Sequence, residues 1–124
     1  MMNPFLQVAI GGALGATGRF AVYRMIPSHW AALGLATGLV NIAGSFLMGL
    51  LAALFAHRVG NAYAPLLLTG FLGGFTTYSA FSLDVLTMWE KGQGGIALAY
   101  VAGTVLLSLA AVIAGLALGR GIWA

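Results

Sequence analysis

Four long apolar runs, separated by short polar turns, constrain the fold of this chain more than any other feature of its sequence. They cover residues 4–26, 30–56, 63–89 and 96–119, and each is long enough to cross the roughly 30 Å hydrocarbon core of a bilayer as a helix. Only 6% of the residues are charged, whereas soluble domains carry about 25%. We therefore expect an all-α integral membrane protein, with one four-helix transmembrane domain over residues 1–124.

Charge and cysteine content exclude several other classes of protein. The net charge is +3, but the five Lys and Arg residues are scattered singly and form no basic patch, so we expect no nucleic-acid partner. The chain has no cysteine, which excludes disulfides and thiolate metal sites. Its first ten residues carry no Lys or Arg, so we expect no cleavable signal peptide.

The third apolar run is interrupted by the segment GFLGGFTTYSAFS, residues 70–82, which contains three glycines and five hydroxyl residues. Glycine lowers helix stability, and hydroxyl groups can hydrogen-bond to freed backbone groups. At membrane depth, non-helical backbone survives only where it is buried in protein or lines a wet cavity. The composition predicts a broken helix at about residues 73–77, at an ion site.

Every run also contains a Gly-x-x-x-Gly pair, a spacing that lets helix backbones approach closely in lipid. A chain with 19 glycines produces some such pairs by chance, but four pairs in four runs favour tight packing. The pairs are Gly11 with Gly15, Gly34 with Gly38, Gly70 with Gly74, and Gly115 with Gly119.

The positive charges near the ends of the runs do not favour either orientation in the membrane. Four spans place Arg58 and Arg120 on one face and Arg24 and Lys91 on the other, which gives two positive residues on each. Orientation follows the side with more Lys and Arg, so a balanced chain can insert both ways. We expect dual topology, with two oppositely inserted copies forming an antiparallel homodimer about a two-fold axis.

Polar side chains recur near the predicted centre of the bilayer. Asn41, Thr76 and Ser108 lie at similar depth, and Tyr100, Thr104 and Ser108 share one face of the fourth helix because they are four residues apart. One interpretation is an anion pathway in which the Asn41 amide donates hydrogen bonds. The alternatives are that Asn41 joins two helices and that the hydroxyls bond to their own helix backbone.

Two aromatic residues and two charged residues complete the set of candidates. Tyr78 and Phe81 lie three residues apart, and the positive edges of their rings could stabilise a small anion, although such pairs usually serve packing. Arg19 and Asp84 lie deepest in the predicted spans among the ionisable residues. Either they pair with each other or Arg19 attracts anions in a vestibule. No nucleophile–base pair or metal cluster is visible, so we expect no enzyme.

With these residues identified, the chain resembles the Fluc (CrcB) fluoride channel family along essentially its whole length. The motifs that carry the resemblance are GGALGATGR at residues 11–19, Thr37-x-x-x-Asn41, and TGFLGGFTTYSAFS at residues 69–82. The resemblance implies an antiparallel dual-topology dimer with two pores in a prokaryotic inner membrane. Such a dimer would export fluoride passively after hydrogen fluoride enters as the neutral acid and dissociates inside the cell.

The resemblance also implies roles for individual residues. Asn41 would be a pore amide and Phe81 a ring-edge ligand, whereas Tyr78 departs from the phenylalanine that is usual in the family. Gly73 and Thr76 of both subunits would offer backbone carbonyls to a structural sodium ion. This agrees with the composition, because an opened glycine turn frees carbonyl oxygens and a hard cation takes oxygen ligands. Arg19 would lie in the vestibule and Asp84 near the pore mouth. The expected fluoride pathway comprises Thr37, Asn41, Tyr78, Phe81, Ser82, Tyr100, Thr104 and Ser108.

Two other functions compete with a channel. A small multidrug-resistance-type proton-coupled exporter also has four helices, but such exporters share an acidic residue in the first span, where this chain has only Arg19. A non-transporting membrane assembly subunit would account for the glycine pairs. It would not account for the polar residues at the centre of the bilayer.

Overall fold

The computed structural model describes residues 2–124, and these residues form helices joined by short turns. The helices, in chain order, are α1 (Pro4–Met25), α2 (Ser28–Ala31), α3 (Leu35–Leu54), a π-helical turn (Phe55–Val59), a π-helical segment (Pro65–Leu72), α4 (Gly73–Phe75), α5 (Tyr78–Glu90) and α6 (Gly94–Trp123). Four helical stretches are long and apolar enough to cross a membrane: Pro4–Met25, Leu35–Val59, Pro65–Glu90 and Gly94–Trp123. The expectation of an all-helical chain with four such spans is confirmed.

The first two spans begin at residues whose chemistry suits a helix start. Asn3 caps α1 by accepting a hydrogen bond from the Phe5 N–H at 2.7 Å, and Pro4 occupies the first helical position, where no N–H is needed. The second span begins at Leu35 and not near residue 30 as expected. The chain first forms α2 and then turns at Gly34, whose φ of +75° is a conformation that glycine adopts readily.

The third span changes geometry along its length. It begins as a π-helix at Pro65 and continues as the short helix α4. Thr76 and Thr77 then have extended backbones, with ψ of 157° and 126°. Helix α5 starts at Tyr78, where the Thr77 side chain accepts a hydrogen bond from the Ala80 N–H at 3.3 Å. Residues 73–75, which we expected within the break, are helical, and the extended backbone is limited to the two threonines.

Helix α1 packs against residues 65–75 of the third span, and glycines bring the two backbones into direct contact. A Cβ added at Gly11 would overlap the Leu66 carbonyl oxygen, and one added at Gly15 would overlap that of Phe71. Helix α3 packs along α6 in the same way, and a Cβ at Gly115 would overlap the Phe46 carbonyl oxygen. These glycine pairs therefore lie at helix contacts, as the sequence predicts.

The pair Gly34 and Gly38 has a different position. Gly34 precedes α3 and lies against the Tyr100 ring, so that an added Cβ would overlap the ring carbons. Gly38 is also near Tyr100, but an added Cβ would meet it only at ordinary contact distance, 4.0 Å. This pair makes room for an aromatic side chain and does not join two helix backbones.

The start of α1, the end of α6 and the turn between the second and third spans lie at one end of the bundle. Arg58 Nε donates to the Trp123 carbonyl at 3.1 Å, which joins this turn to the end of α6. Gln7 Nε2 donates to the Ala62 carbonyl at 3.1 Å, which joins the same turn to the start of α1. The other two turns, one just after Arg24 at the end of α1 and one that contains Lys91, must therefore lie at the opposite end.

Candidate functional site

A groove of about 430 Å³ lies between α3, α6 and the extended residues of the third span, and it is open to the protomer surface. None of its lining residues is charged. Apart from several hydroxyls and one amide, its walls are mostly aliphatic and aromatic. Of the residues singled out from the sequence, the groove brings together Asn41, Thr76, Tyr78, Phe81, Thr104 and Ser108.

Asn41 lines this groove and forms two hydrogen bonds with the backbone of Thr77. Its Oδ1 accepts from the Thr77 N–H at 2.8 Å, and its Nδ2 donates to the Thr77 carbonyl at 2.9 Å. The amide therefore satisfies both backbone groups of a residue that lies outside the helices. One Asn41 N–H remains after these bonds, because a primary amide has two donor hydrogens. Asn41 thus joins two spans and also lines the groove.

Phe81 and Tyr78 lie on the first turn of α5 with very different exposure. Phe81 is 8% exposed and Tyr78 is 79% exposed. Their ring centroids are 5.6 Å apart in an edge-to-face arrangement with an interplanar angle of 61°. Phe81 also contacts Tyr100, with centroids 5.3 Å apart. The contact on both sides fixes the plane of the Phe81 ring, which is a condition for presenting its edge to an ion.

Tyr100 and Asp84 connect α6 to α5 beside the groove. The Tyr100 hydroxyl donates to Asp84 Oδ2 at 3.0 Å. Tyr100 lines a second, largely apolar groove of about 570 Å³ between α3 and α6, and Thr104 lines both grooves. The polar face of α6 therefore runs from Tyr100 past Thr104 to Ser108, and it links the two grooves.

Ser108 and Ser82 differ in how their hydroxyls are used. The Ser82 Oγ donates to the Tyr78 carbonyl at 3.1 Å, so this hydroxyl returns to its own helix. The Ser108 Oγ is buried and has no hydrogen-bond partner among the described residues. The alternative that the central hydroxyls bond to their own helix backbone holds for Thr76, whose hydroxyl donates to the Leu72 carbonyl at 2.8 Å, but not for Ser108. A buried, unpartnered hydroxyl in a groove wall is suited to a ligand or a water.

Thr37 does not line the first groove. It is buried, and its hydroxyl lies 2.8 Å from that of Tyr23 on α1. Tyr23 was not predicted from the sequence, because the residue that it contacts lies on another helix. Only the approach of α1 to the start of α3 brings the two hydroxyls together.

Arg19 and Asp84, the two deepest ionisable residues, have separate partners. Arg19 Nε donates to the Gly74 carbonyl at 3.1 Å, near the C-terminal end of α4. A cation at a helix C-terminus is favourable because the last carbonyls carry partial negative charge. Asp84 accepts from Tyr100, so the geometry does not support a direct Arg19–Asp84 pair.

The backbone at Gly73 and Thr76 has features that suit a hard cation. Gly73 lies at the protomer surface, and Thr76 leaves the helix with a ψ of 157°. In a continuous helix the Thr77 N–H would donate to the Gly73 carbonyl, but here it donates to Asn41. Among the described residues no group of three or more His, Cys, Asp or Glu side chains could hold a metal ion. Backbone oxygens are ligands of the kind that hard cations prefer.

Comparison with known proteins places the chain in a family. The family described as "CrcB-like protein, Camphor Resistance (CrcB)" matches residues 6–116. The chain belongs to the CrcB family. Its relatives include a protein of Paracoccus denitrificans that is named fluoride-specific ion channel FluC and is 58% identical over the full length of both chains. A protein of the same name from Cereibacter sphaeroides is 52% identical over 98% of each chain.

A third CrcB relative, from Rhizobium meliloti, bears the same name and is 46% identical over 96% of this chain and 98% of its own. All three names describe an ion channel and not an enzyme, and they agree with the family expected from the sequence. The expectation that this chain is not an enzyme is therefore confirmed by its family. Four apolar spans and this membership make it a multi-pass membrane protein.

Proposed function

We propose that this protein is a fluoride-selective channel that exports cytoplasmic fluoride by passive electrodiffusion. The observation that carries the proposal is the 58% identity, over the full length of both chains, to a protein named as a fluoride-specific channel. The uncharged groove supports it, because a conducting ion must be bound well enough to enter and weakly enough to leave.

The groove residues suggest how fluoride is stabilised without a fixed positive charge. The remaining Asn41 N–H, the edge of Phe81, and the hydroxyls of Thr104 and Ser108 all line one space. Each offers a partial positive charge to a small anion. Tyr78 replaces the phenylalanine usual in the family, and the rest of its ring edge remains available for the same role.

The ends of the pathway extend beyond this groove. Tyr100 continues the polar face of α6, and Ser82 and Thr37 lie beyond the groove on α5 and α3. Arg19 raises the local concentration of anions in a vestibule, and Asp84 lies near the pore mouth. Long-range attraction by Arg19 would increase the rate of fluoride entry, and this contribution would weaken at high ionic strength.

The proposed assembly is an antiparallel homodimer with two pores. The groove of a single protomer is open on one side, so a second copy is needed to close a pathway against lipid. Equal numbers of positive residues at the two ends of the bundle allow insertion in both orientations. A two-fold axis in the membrane plane would then bring the same surface of each copy together.

A structural sodium ion would lie at the centre of this dimer, held by the carbonyls of Gly73 and Thr76 from both subunits. When bound, sodium would supply positive charge that offsets the partial negative charge of carbonyls brought together at the two-fold axis. The exposure of Gly73 and the diverted Thr77 N–H are consistent with this role. The proposed location of the assembly is the inner membrane of a prokaryotic cell.

Fluoride efflux from liposomes that contain the purified protein tests this function. We expect fluoride to leave only when an electrical shunt such as valinomycin with potassium carries the compensating charge, because a channel moves net charge. Chloride loaded at the same concentration should leave far more slowly. Drug–proton exchange would indicate an exporter. Absence of both fluoride flux and drug–proton exchange would indicate an assembly subunit.

A further inference from the structure

The side chain of Asn41 makes a bond that is unusual for a residue whose expected role is to line a pore. Its amide pairs with both backbone groups of Thr77, at 2.8 Å and 2.9 Å, across 36 positions of sequence. The pairing imitates the way two β-strands exchange hydrogen bonds, and it satisfies polar groups that would otherwise be costly at membrane depth.

This pairing changes what the carbonyl of Gly73 can do. A regular α-helix would use the Thr77 N–H to satisfy that carbonyl, since each N–H donates to the carbonyl four residues earlier. Asn41 Oδ1 takes this donor instead. One residue earlier the helical bond is still made, because the Thr76 N–H donates to the Leu72 carbonyl at 3.0 Å. The Thr76 hydroxyl donates to the same oxygen at 2.8 Å. The helical pattern therefore stops at the position that Asn41 contacts.

We infer that Asn41 is a positioning residue for the cation site, because its amide holds Thr77 away from helical geometry and so withholds the Thr77 N–H from the Gly73 carbonyl. The inference rests on the proposed function for the identity of the cation. It assigns two roles to one side chain, since the remaining Asn41 N–H lines the anion groove. Any movement of Asn41 that accompanies ion passage would thus also act on the backbone that binds sodium.

The apparent melting temperature of the purified protein tests this role without relying on transport. It should be measured in sodium and in N-methylglucamine at equal ionic strength. For the wild type we expect sodium to raise it by about 5 °C or more, because a ligand that binds only the folded state stabilises it. Asn41→Leu keeps the number and branching of the side-chain heavy atoms but removes the hydrogen bonds, and the sodium-dependent shift should disappear. A full shift in Asn41→Leu, or no shift in the wild type, would overturn the inference.

A control variant separates the positioning role of Asn41 from a general change in the groove. Ser108→Ala alters the same groove at a hydroxyl that has no partner, so the sodium-dependent shift should persist. Loss of the shift in Ser108→Ala would contradict the inference. Absence of fluoride flux in the wild type would instead contradict the proposed function and leave the sodium comparison intact.

Discussion

Single side chains in the groove differ in how firmly the surrounding structure holds them. Phe81 is buried and contacts aromatic rings on both sides, whereas Tyr78 is largely exposed and contacts only one ring. An anion ligand must keep its geometry without reorganising when the ion arrives. Phe81 meets this requirement in a single protomer, and Tyr78 would need the second copy to hold it.

Replacement of Phe81 should therefore have the largest effect on transport among the aromatic residues. Phe81→Ile removes the ring edge but keeps an apolar side chain. We expect fluoride efflux from liposomes to fall at least about tenfold, which corresponds to a loss of about 1.4 kcal/mol in the stabilisation of fluoride in the pathway. Tyr78→Phe is the matched control, because it removes only a hydroxyl and restores the residue usual in the family. Efflux through Tyr78→Phe should stay within about twofold of the wild type, and wild-type efflux through Phe81→Ile would remove Phe81 from the pathway.

Gln7 shows that a single polar residue also fixes the start of the third span. It is 1% exposed, its Nε2 donates to the carbonyls of Met2 and Ala62, and its Oε1 accepts from the Leu66 N–H at 3.2 Å. Gln7→Leu should lower the free energy of unfolding by about 1–3 kcal/mol, because three backbone groups lose their partner. Gln93→Leu is the control, since Gln93 makes no side-chain cap bond at the start of α6 and should change stability little. Denaturation in mild detergent measures both, and equal effects would contradict the role of Gln7.

At the scale of helices, hydropathy was sufficient to predict four spans, but it was not sufficient to place every boundary. Residues 30–33 are apolar enough to extend the second span, yet the left-handed backbone of Gly34 starts that helix at Leu35. The π-helical start of the third span has no signal in periodicity, because it depends on packing against α1. The sequence identified Asn41 as a polar residue within a span, but it did not predict the pairing with Thr77, since that pairing requires the approach of two separate spans.

The contact between α1 and the third span predicts different outcomes for two adjacent glycines. A Cβ at Gly11 would overlap backbone atoms at Leu66 and Phe71, which cannot move independently of the helix. A Cβ at Gly12 would lie 3.9 Å from the Gly70 carbonyl oxygen, an ordinary contact. Gly11→Ala should therefore destabilise the protein by about 1–3 kcal/mol. Gly12→Ala should be neutral or slightly stabilising, because alanine favours helix. Thermal unfolding of the two variants distinguishes these outcomes, and equal stability would contradict the direct backbone contact at Gly11.

At the scale of the whole molecule, the distribution of charge over the two ends of the bundle determines how the chain inserts. The hydrogen bonds of Arg58 to Trp123 and of Gln7 to Ala62 place the start of α1 and the end of α6 at the same end as Arg58. Arg120 lies near this end in α6, whereas Arg24 and Lys91 lie at the other. A dimer of oppositely inserted copies would therefore present the same charges to both sides of the membrane.

Variants with unequal charge at the two ends of the bundle should insert in one orientation only, which tests whether conduction requires both orientations. Replacing Arg24 and Lys91 together with glutamine leaves Arg58 and Arg120 as the only Lys or Arg residues near the ends of the spans. That end of the bundle should then face the cytoplasm. Removing Arg58 and Arg120 in the same way should give the opposite orientation. Each double variant alone lacks an oppositely inserted partner, so its fluoride flux should be low, and co-expression of the two should restore flux. Labelling of a C-terminal tag from each side of the membrane measures orientation independently. Wild-type tags found on one side only, or full flux from a single oriented variant, would exclude an antiparallel dimer as the conducting unit.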